Sequence, residues 1–440
     1  MKLLKETIRF LLLFASIHCC CLPILQFNIH PLWVTGAVTL FLLLNVFPTL
    51  QKHPTLQLRI LSDGTVLLRQ FLATTVASVI LFLAVWIFGD YGWKSLLLYG
   101  AIIAAAEAIL FWNGILRVYC TSVQLGIKWR VIGAFCGMIP VVHLFVLFRI
   151  IRIASEEVAF EEEKISLDAK RSQNRVCETK YPLLLVHGVF FRDSRFLNYW
   201  GRIPTALTKN GAAVHYGGQE SAASVADCAA QLAERIREIC KATGCEKVNI
   251  IAHSKGGLDA RYAIAKLGMA PYVASLTTVN TPHQGCVFAE YLLHKAPESL
   301  RRVVSNTYNQ TLLRLGDKQP DFLSAVEDLT ASRCDMRNRE VPNVEGVYYQ
   351  SVGSKLKKAT GGKFPLNLSY HLVNHFDGEN DGLVALPAME WGERFLQVSA
   401  PGRRGVSHGD MIDLNRENIP GFDVREFYVK LVSELKEMGF

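Results

Sequence analysis

The sequence predicts an all-α membrane region followed by an α/β domain with a mainly parallel sheet. Half of the 440 residues are hydrophobic and the mean hydropathy is positive, which is unusual for a soluble enzyme. Apolar runs nearly long enough to cross a bilayer as helices are concentrated before residue 151. From Tyr181 onward, short β-branched runs alternate with helical patterns. We therefore expect a transmembrane helical region over residues 1–151, a charged linker over 152–180 and the α/β domain over 181–440.

The first region contains five apolar segments, each near the roughly 20 residues that a helix needs to cross a bilayer. A cleaved signal peptide is the alternative for the first segment, but no A-x-A-like site follows it. Glu107 in the fourth segment is expected to make a helix–helix contact rather than to serve transport. The five segments are Phe10–Phe27, Leu32–Leu50, about Phe71–Phe88, about Ser95–Leu116 and Val131–Ile150, of which the last contains Pro140 and His143.

The basic residues of this region predict its orientation in the cell membrane. They occur at the N-terminus and in residues 51–69 and 117–130, so the positive-inside bias places the N-terminus in the cytoplasm. Five crossings then place the α/β domain on the outer face. If Val131–Ile150 is re-entrant or interfacial instead, the domain is cytoplasmic, and Arg149 and Arg152 favour that outcome.

Charge and cysteine content exclude several function classes. The net charge is +8, but no long basic run and no basic helix interleaved with aromatic residues is present. Membrane flanks explain the excess of lysine and arginine, so no nucleic-acid partner is expected. The eleven cysteines include no C-x-x-C spacing and are not accompanied by paired histidines. The sequence therefore predicts neither a zinc site nor a disulfide framework.

The α/β domain alternates short strands with helices joined by short turns, the pattern of a parallel sheet with covering helices. The helix at Ser224–Ala242 begins with a capping box formed by Ser224 and Asp227, and Gly244 ends it. A long and mostly helical insertion then interrupts the alternation. The expected strands are Pro182–Val186, Ala212–Tyr216, a strand from Val248, Ser275–Val279, Glu345–Ser351 and about Phe395–Val398, with the insertion at Cys286–Asn343 and a final helix at Val424–Met438.

The segment Val248–Gly257 has the pattern of a nucleophile elbow. A β-branched run ends in Ala-His-Ser-Lys-Gly-Gly, and a helix-compatible stretch follows. The turn around such a serine is so tight that its neighbours must be small, which explains Ala252, Gly256 and Gly257. Ala252 departs from the usual G-x-S-x-G pattern by one methyl group. We identify Ser254 as the candidate nucleophile.

A serine hydroxyl needs a base within hydrogen-bond reach, and that base must be held by a third group. On a fold with such an elbow the acid follows the serine in the chain and the histidine comes last. Asp381 and His408 satisfy this order and lie in polar, glycine-containing loops. The weaker alternatives are Asp377 and Glu379 for the acid, His371 and His375 for the base, and His187 and His253 as turn-supporting residues.

The tetrahedral intermediate of acyl transfer requires two backbone N–H donors. One comes from the residue after the nucleophile, which is Lys255. The other comes from the loop after the first strand of the domain, where His187 and Gly188 lead to Val189. We expect Val189 and Lys255 to form the oxyanion hole.

Five motifs of the α/β domain resemble the bacterial triacylglycerol lipases with an α/β-hydrolase fold. The resemblance implies an acyl-enzyme on Ser254, an oxyanion hole from Val189 and Lys255, and a mobile helical lid within Cys286–Asp335. Relatives often hold a structural calcium, for which Asp410 matches one ligand, but residues 346–376 contain no second acid. The motifs are Tyr-Pro-Leu-Leu-Leu-Val-His-Gly from Tyr181, Tyr199–Pro204, Val248–Tyr262, Thr281–Gly285 and Asn380–Val384.

Together these features predict a membrane-anchored serine hydrolase that cleaves carboxylic esters of lipids and requires no cofactor. The expected partners are a lipid or ester substrate and membrane lipids. Two alternatives remain: an acyltransferase that uses the same acyl-enzyme, and a non-catalytic membrane protein with a degenerate hydrolase domain.

Overall fold

The computed structural model describes residues 2–49, 51–137, 139, 141–189, 198–295, 297–299, 302, 306, 309–310 and 320–440. The chain divides into two compact units, Met1–Leu167 and Asp168–Phe440.

The first unit is all-helical, as the sequence predicts. Within the described residues, α3 and α4 are long and apolar enough to cross a membrane. These two helices contain the predicted third and fourth segments. The helices are α1 (Lys2–Cys19), α2 (Pro31–Val46), α3 (Leu56–Phe88), α4 (Trp93–Thr121), α5 (Gly126–Cys136) and α6 (Val142–Arg171), the last of which continues into the second unit.

The other three predicted segments differ from the helices observed. α2 has 16 residues and is apolar, but at 1.5 Å per residue it falls short of a hydrocarbon core of about 30 Å. α1 begins eight residues before Phe10 and ends at Cys19. The predicted fifth segment, Val131–Ile150, is not one continuous helix. α5 ends at Cys136, with Gly137 as its C-cap, and α6 begins only at Val142.

The predicted charged linker is mostly helical. α6 extends through it to Arg171, and Arg152 pairs with Glu156 one turn further along the helix at 2.7 Å. Glutamates and lysines are good helix formers, and such i,i+4 pairs add a few tenths of a kcal/mol each. Charge patterning therefore stabilises a helix through most of the predicted linker.

Polar side chains join the apolar helices of the first unit to one another. The hydroxyls of Thr74 and Thr75 on α3 each donate to Glu107 Oε2 on α4 at 3.0 Å. Glu107 thus makes the helix–helix contact expected of it. His18 of α1 has Nε2 3.0 Å from Ser78 Oγ of α3 and Nδ1 3.0 Å from the hydroxyl of Tyr99 of α4. The side chain of His18 therefore joins α1 to both α3 and α4.

The second unit contains a six-stranded, all-parallel sheet in the order β2-β1-β3-β4-β5-β6. Every residue of β1, β3 and β4 is buried, which accounts for the apolar run of β1 and for the many apolar and β-branched residues of β3 and β4. The strands are β1 (Leu183–Val186), β2 (Val214–Tyr216), β3 (Val248–His253), β4 (Val273–Val279), β5 (Tyr348–Ser354) and β6 (Arg394–Val398).

Helices join the strands, and hydrophobic clusters pack on the sheet. One cluster places α7 and α14 against residues of β1 and β3, and another places α8 and α9 against the same strands. The helices of this unit are α7 (Ile203–Lys209), α8 (Val225–Thr243), α9 (Lys255–Lys266), α10 (Val287–Lys295), α11 (Phe322–Glu327), α12 (Ala331–Glu340), α13 (Leu366–Phe376) and α14 (Val424–Glu437).

The order of the strands determines where a site can form. β2 lies on one side of β1 and β3 on the other, so the chain changes direction across the sheet between β1 and β3. Parallel sheets bind ligands in the crevice that opens at the carboxyl ends of such strands. Val189 follows β1 and Ser254 follows β3, so both lie at this edge. The predicted lid, Cys286–Asp335, includes α10 and α11 but falls partly outside the described residues.

Candidate active site

Ser254 forms the turn between β3 and α9. Its backbone has φ +55° and ψ −132°, a conformation that costs a residue with a side chain on the order of 1–3 kcal/mol. Two hydrogen bonds hold it. The Ser254 N–H donates to the carbonyl of Val279 at 2.9 Å, and Thr281 Oγ1 donates to the Ser254 carbonyl at 2.8 Å. The strand–turn–helix context predicted for the elbow is confirmed.

The glycines around Ser254 allow three pieces of backbone to approach closely. A Cβ on Gly188 would lie 2.7 Å from the Cβ of Ser254. Side chains on Gly256 and Gly257 would overlap the carbonyl of His187 and the hydroxyl of Thr281. The sequence predicted the steric role of Gly256 and Gly257, whereas that of Gly188 depends on a loop more than sixty residues away.

Asp381 and His408 are in direct contact. His408 Nδ1 lies 2.6 Å from Asp381 Oδ2, and the Asp381 carboxylate is completely buried. Since a carboxylate can only accept hydrogen bonds, the His408 proton belongs on Nδ1, and Nε2 is left as the acceptor. The N–H groups of Leu383 and Val384 both donate to Asp381 Oδ1 at 2.8 Å. The His408 tautomer with its proton on Nδ1 leaves Nε2 free to take a proton, as a general base requires.

His408 Nδ1 bonds to Asp381, and no hydrogen bond joins Ser254 to His408 among the described residues. The ring of His253, the residue before the serine, has its centroid 4.4 Å from that of His408. Burial holds the pKa of His253 well below its usual range, so this ring adds no charge beside His408. Nucleophile and base often separate in unliganded enzymes and approach when substrate binds.

The two predicted oxyanion donors lie on either side of the elbow. Lys255 is the first residue of α9, and the N–H groups of a first helical turn have no partner within the helix. Val189 is buried. Neither N–H has an acceptor among the described residues, so both are available to a substrate oxygen.

Two residues that sequence analysis did not single out hold the site together. Asn280 Nδ2 donates to Asp381 Oδ2 at 2.6 Å and to Ser354 Oγ at 2.7 Å. The Tyr199 hydroxyl accepts from the N–H of Gly188 at 3.0 Å and lies 2.7 Å from His253 Nδ1. The available signal for Asn280 was its position: it is a polar residue directly after a buried parallel strand.

The competing acids and histidines have other partners. The Asp377 carboxylate accepts the N–H groups of Val287 and Phe288 at 3.0 and 3.1 Å, so it caps α10. Glu379 pairs with Lys355 at 2.6 Å. His187 contacts the carbonyls of Gly188 and Gln219, as a turn-supporting residue would, while His371 and His375 lie on α13.

The side chain of Lys255 points away from the reaction centre into a buried ion pair. Its Nζ lies 2.7 Å from Asp259 Oδ1 and 3.2 Å from the sulfur of Cys228. Burial alone would lower the pKa of Lys255, but Asp259 and Cys228 outweigh it and raise that pKa. Burial raises the pKa of Asp259 to about 6 in spite of the nearby ammonium group. Lys255 therefore keeps its ammonium proton, and its contact with Asp259 anchors the first turn of α9.

Asp410 does not fit a calcium site. Arg404 donates to both of its carboxylate oxygens, at 2.7 and 3.1 Å, and the N–H of Ser407 donates to Oδ2 at 2.8 Å. A guanidinium group thus occupies the position where a cation would bind this carboxylate. Arg404 also pairs with Glu417 at 2.7 Å. Among the described residues, no group of three or more His, Cys, Asp or Glu side chains could hold a metal ion.

The sheet order, the strained serine after β3 and the long connection to Asp381 and His408 define the α/β-hydrolase fold. Residues 181–396 match a family model described as the alpha/beta hydrolase fold. The second unit of the chain has this fold, as the sequence predicted.

Curated relatives of the chain carry the name triacylglycerol lipase. A protein from Pseudarthrobacter phenanthrenivorans is 34% identical over 178 residues, which are 38% of this chain and 55% of the relative. A protein from Burkholderia plantarii is 34% identical over 178 residues and 49% of its length, and one from Vibrio cholerae is 29% identical over 238 residues and 75% of its length. The chain spans about half the length of the first two relatives.

Solved structures of lipases are also similar to the chain. A Staphylococcus hyicus lipase is 17% identical with a TM-score of 0.46, covering 59% of this chain and 98% of that one. A Bacillus licheniformis lipase in its mature form is 22% identical with a TM-score of 0.43, covering 58% and 92%.

Proposed function

We propose that this protein is a membrane-anchored serine hydrolase that cleaves carboxylic esters of lipids through an acyl-enzyme on Ser254. The observation that supports the proposal best is the contact between His408 Nδ1 and the buried carboxylate of Asp381, at 2.6 Å, beside the ring of His253. This contact leaves Nε2 of His408 unprotonated, and Ser254 follows His253 on a strained turn. Acyl transfer by serine requires these three groups.

The reaction proceeds in two halves. His408 Nε2 takes the proton of the Ser254 hydroxyl as the oxygen bonds to the ester carbonyl carbon. The carbonyl oxygen becomes an oxyanion and accepts from the N–H groups of Val189 and Lys255. When the carbon–oxygen bond of the ester breaks, the alcohol leaves with the proton from His408. Water then attacks the acyl-enzyme with His408 again as the base, which releases the carboxylic acid and restores Ser254.

A lipid ester is the substrate class that the chain favours. Its named relatives are triacylglycerol lipases, and α3 and α4 are long and apolar enough to cross a membrane. Insertion of these helices would hold the enzyme at the surface in which lipid esters are concentrated.

A fluorophosphonate probe tests the nucleophile, because it phosphonylates only a serine that a neighbouring base activates. We expect the full-length protein in detergent to be labelled on the peptide that contains Ser254. Ser254→Ala should abolish labelling, whereas Ser433→Ala, on α14, should leave it unchanged. Absence of labelling in a protein that retains its native circular dichroism would refute the proposal, as would equal labelling of Ser254→Ala.

The side of the membrane on which the second unit (the hydrolase unit, Asp168–Phe440) lies depends on how many times the preceding helices cross the membrane. The expectation of an outer-face domain required a fifth crossing at Val131–Ile150, and α5 and α6 do not form a continuous helix there. We propose that residues 1–121 contain an even number of crossings and that the hydrolase unit is cytoplasmic. Protease added to intact cells should leave residues 181–440 uncut, and permeabilisation should expose them. Cleavage in intact cells would restore the outer-face assignment.

A further inference from the structure

The first unit contains a cavity of about 740 Å³ among α1, α3, α6 and the segment that precedes α3. Five of the side chains that line it are basic or can become so: Lys5, Arg9, Lys52, His53 and Arg69. Glu6 and Glu162 are the acidic residues that line it. With histidine neutral, four positive charges face two negative ones, so the cavity attracts an anion.

Several of these basic groups have no hydrogen bond or close ion pair among the described residues, although the carboxylates of Asp63 and Glu6 attract Arg9 from a greater distance. Arg69 contacts Glu6 at 3.4 Å and Ser155 at 3.2 Å. Lys5, Arg9 and Lys52 take part in no ion pair or hydrogen bond among the described residues. His53 Nδ1 lies 2.5 Å from Glu162, but its Nε2 is buried without a hydrogen-bond partner. A half-buried arginine and two lysines without a hydrogen-bond acceptor are suited to a ligand that supplies oxygens.

The cavity lies where the apolar part of α3 begins. α3 has 33 residues, which is about 50 Å, whereas the hydrocarbon core is about 30 Å thick. Its charge-free part, Phe71–Phe88, starts two residues after Arg69. α1 runs in the same direction, because its Glu6 carbonyl accepts from Gln70 and its His18 contacts Ser78. Arg9 therefore lies near the level of Arg69, directly before the apolar residues of α1.

We propose that this cavity binds the phosphate headgroup of an anionic phospholipid. Arginines and lysines that cluster where the apolar part of a membrane-spanning helix begins lie at the membrane surface, at the level of the lipid phosphates. The phosphate oxygens would accept from Arg9, Lys52 and Arg69, which all line the cavity. The volume exceeds the roughly 30 Å³ share of one water many times over and so admits a phosphate with part of its glycerol. This site is separate from Ser254, and it rests on the proposed insertion of α3 and α4 but not on the proposed hydrolysis.

Native mass spectrometry of the full-length protein in detergent tests the site with three probes: dihexanoyl phosphatidylglycerol, dihexanoyl phosphatidylcholine and inorganic phosphate. We expect phosphatidylglycerol to bind at least about tenfold more tightly than phosphatidylcholine. Arg9→Gln or Arg69→Gln should weaken phosphatidylglycerol binding about fivefold, and both together roughly 25-fold. The matched control is Arg59→Gln, because Arg59 is an exposed arginine of α3 outside the cavity lining; it should bind as the unaltered protein does.

The outcomes separate the possible sources of the anion. Equal binding of the two lipids, or unchanged binding by the double variant, would overturn the proposal. Inorganic phosphate that binds as tightly as phosphatidylglycerol would identify a free-phosphate site instead and overturn the lipid assignment. If the double variant does not fold, Lys52→Gln removes a charge from an exposed residue outside the helices and should still weaken phosphatidylglycerol binding about fivefold. Carbonate extraction of membranes reports separately whether α3 and α4 are inserted.

Discussion

Under the proposed function, Asp381→Asn is expected to reduce kcat for ester hydrolysis by about 10⁴-fold, as the same change does in a serine protease. The N–H groups of Leu383 and Val384 both donate to Oδ1, so the amide oxygen of the variant should remain there. The amide nitrogen then faces His408 Nδ1. Since that nitrogen is a donor, Nδ1 must accept, and the ring proton moves to Nε2, which can no longer take the proton of Ser254.

The measurement is the hydrolysis of a short p-nitrophenyl ester by the full-length protein in detergent. We expect KM to change little, because the carboxylate is buried behind the histidine and does not contact the substrate. Glu379→Gln is the matched control: this exposed acid lies two residues away, pairs with Lys355, and its loss should change kcat less than about threefold. Similar rates for both variants would show that Asp381 does not orient the base.

Asp259→Ala is expected to destabilise the hydrolase unit by about 3–5 kcal/mol, because it leaves the Lys255 ammonium group buried without its partner. Lys255 Nζ would retain only the sulfur of Cys228, 3.2 Å away. For a domain of this size the loss corresponds to a fall in Tm of roughly 10 °C. Thermal unfolding in detergent, followed by circular dichroism, measures it.

The chain offers a surface counterpart of this ion pair. Asp335 and Arg339 are also four residues apart on a helix, but both are exposed, so Asp335→Ala should cost less than about 1 kcal/mol. The double variant Lys255→Met/Asp259→Leu, which removes both charges, should recover most of the lost stability. Equal Tm values for Asp259→Ala and Asp335→Ala would contradict the assignment of a buried ion pair.

Much of the hydrolase fold could be predicted from sequence because burial leaves a clear pattern in parallel strands. β1 is a continuous apolar run, β3 and β4 are rich in apolar and β-branched residues, and the helix pattern at Ser224–Ala242 corresponds to α8. The membrane helices were harder to predict, because hydropathy reports how apolar a segment is and not where its helix breaks. For this reason hydropathy indicated one segment over Val131–Ile150, whereas the helix is interrupted after Cys136.

The sequence by itself determined the elbow around Ser254 and the candidates Asp381 and His408, because a tight turn demands small neighbours and the fold prescribes the chain order. Only the tertiary structure decided which groups meet. Asn280 contacts Asp381 across 101 residues, and Arg404 takes the carboxylate of Asp410 that a calcium ion would need. The basic cavity of the first unit likewise gathers side chains from several helices and from the segment before α3. Such contacts depend on distances between segments far apart in the chain, and local sequence patterns carry no information about them.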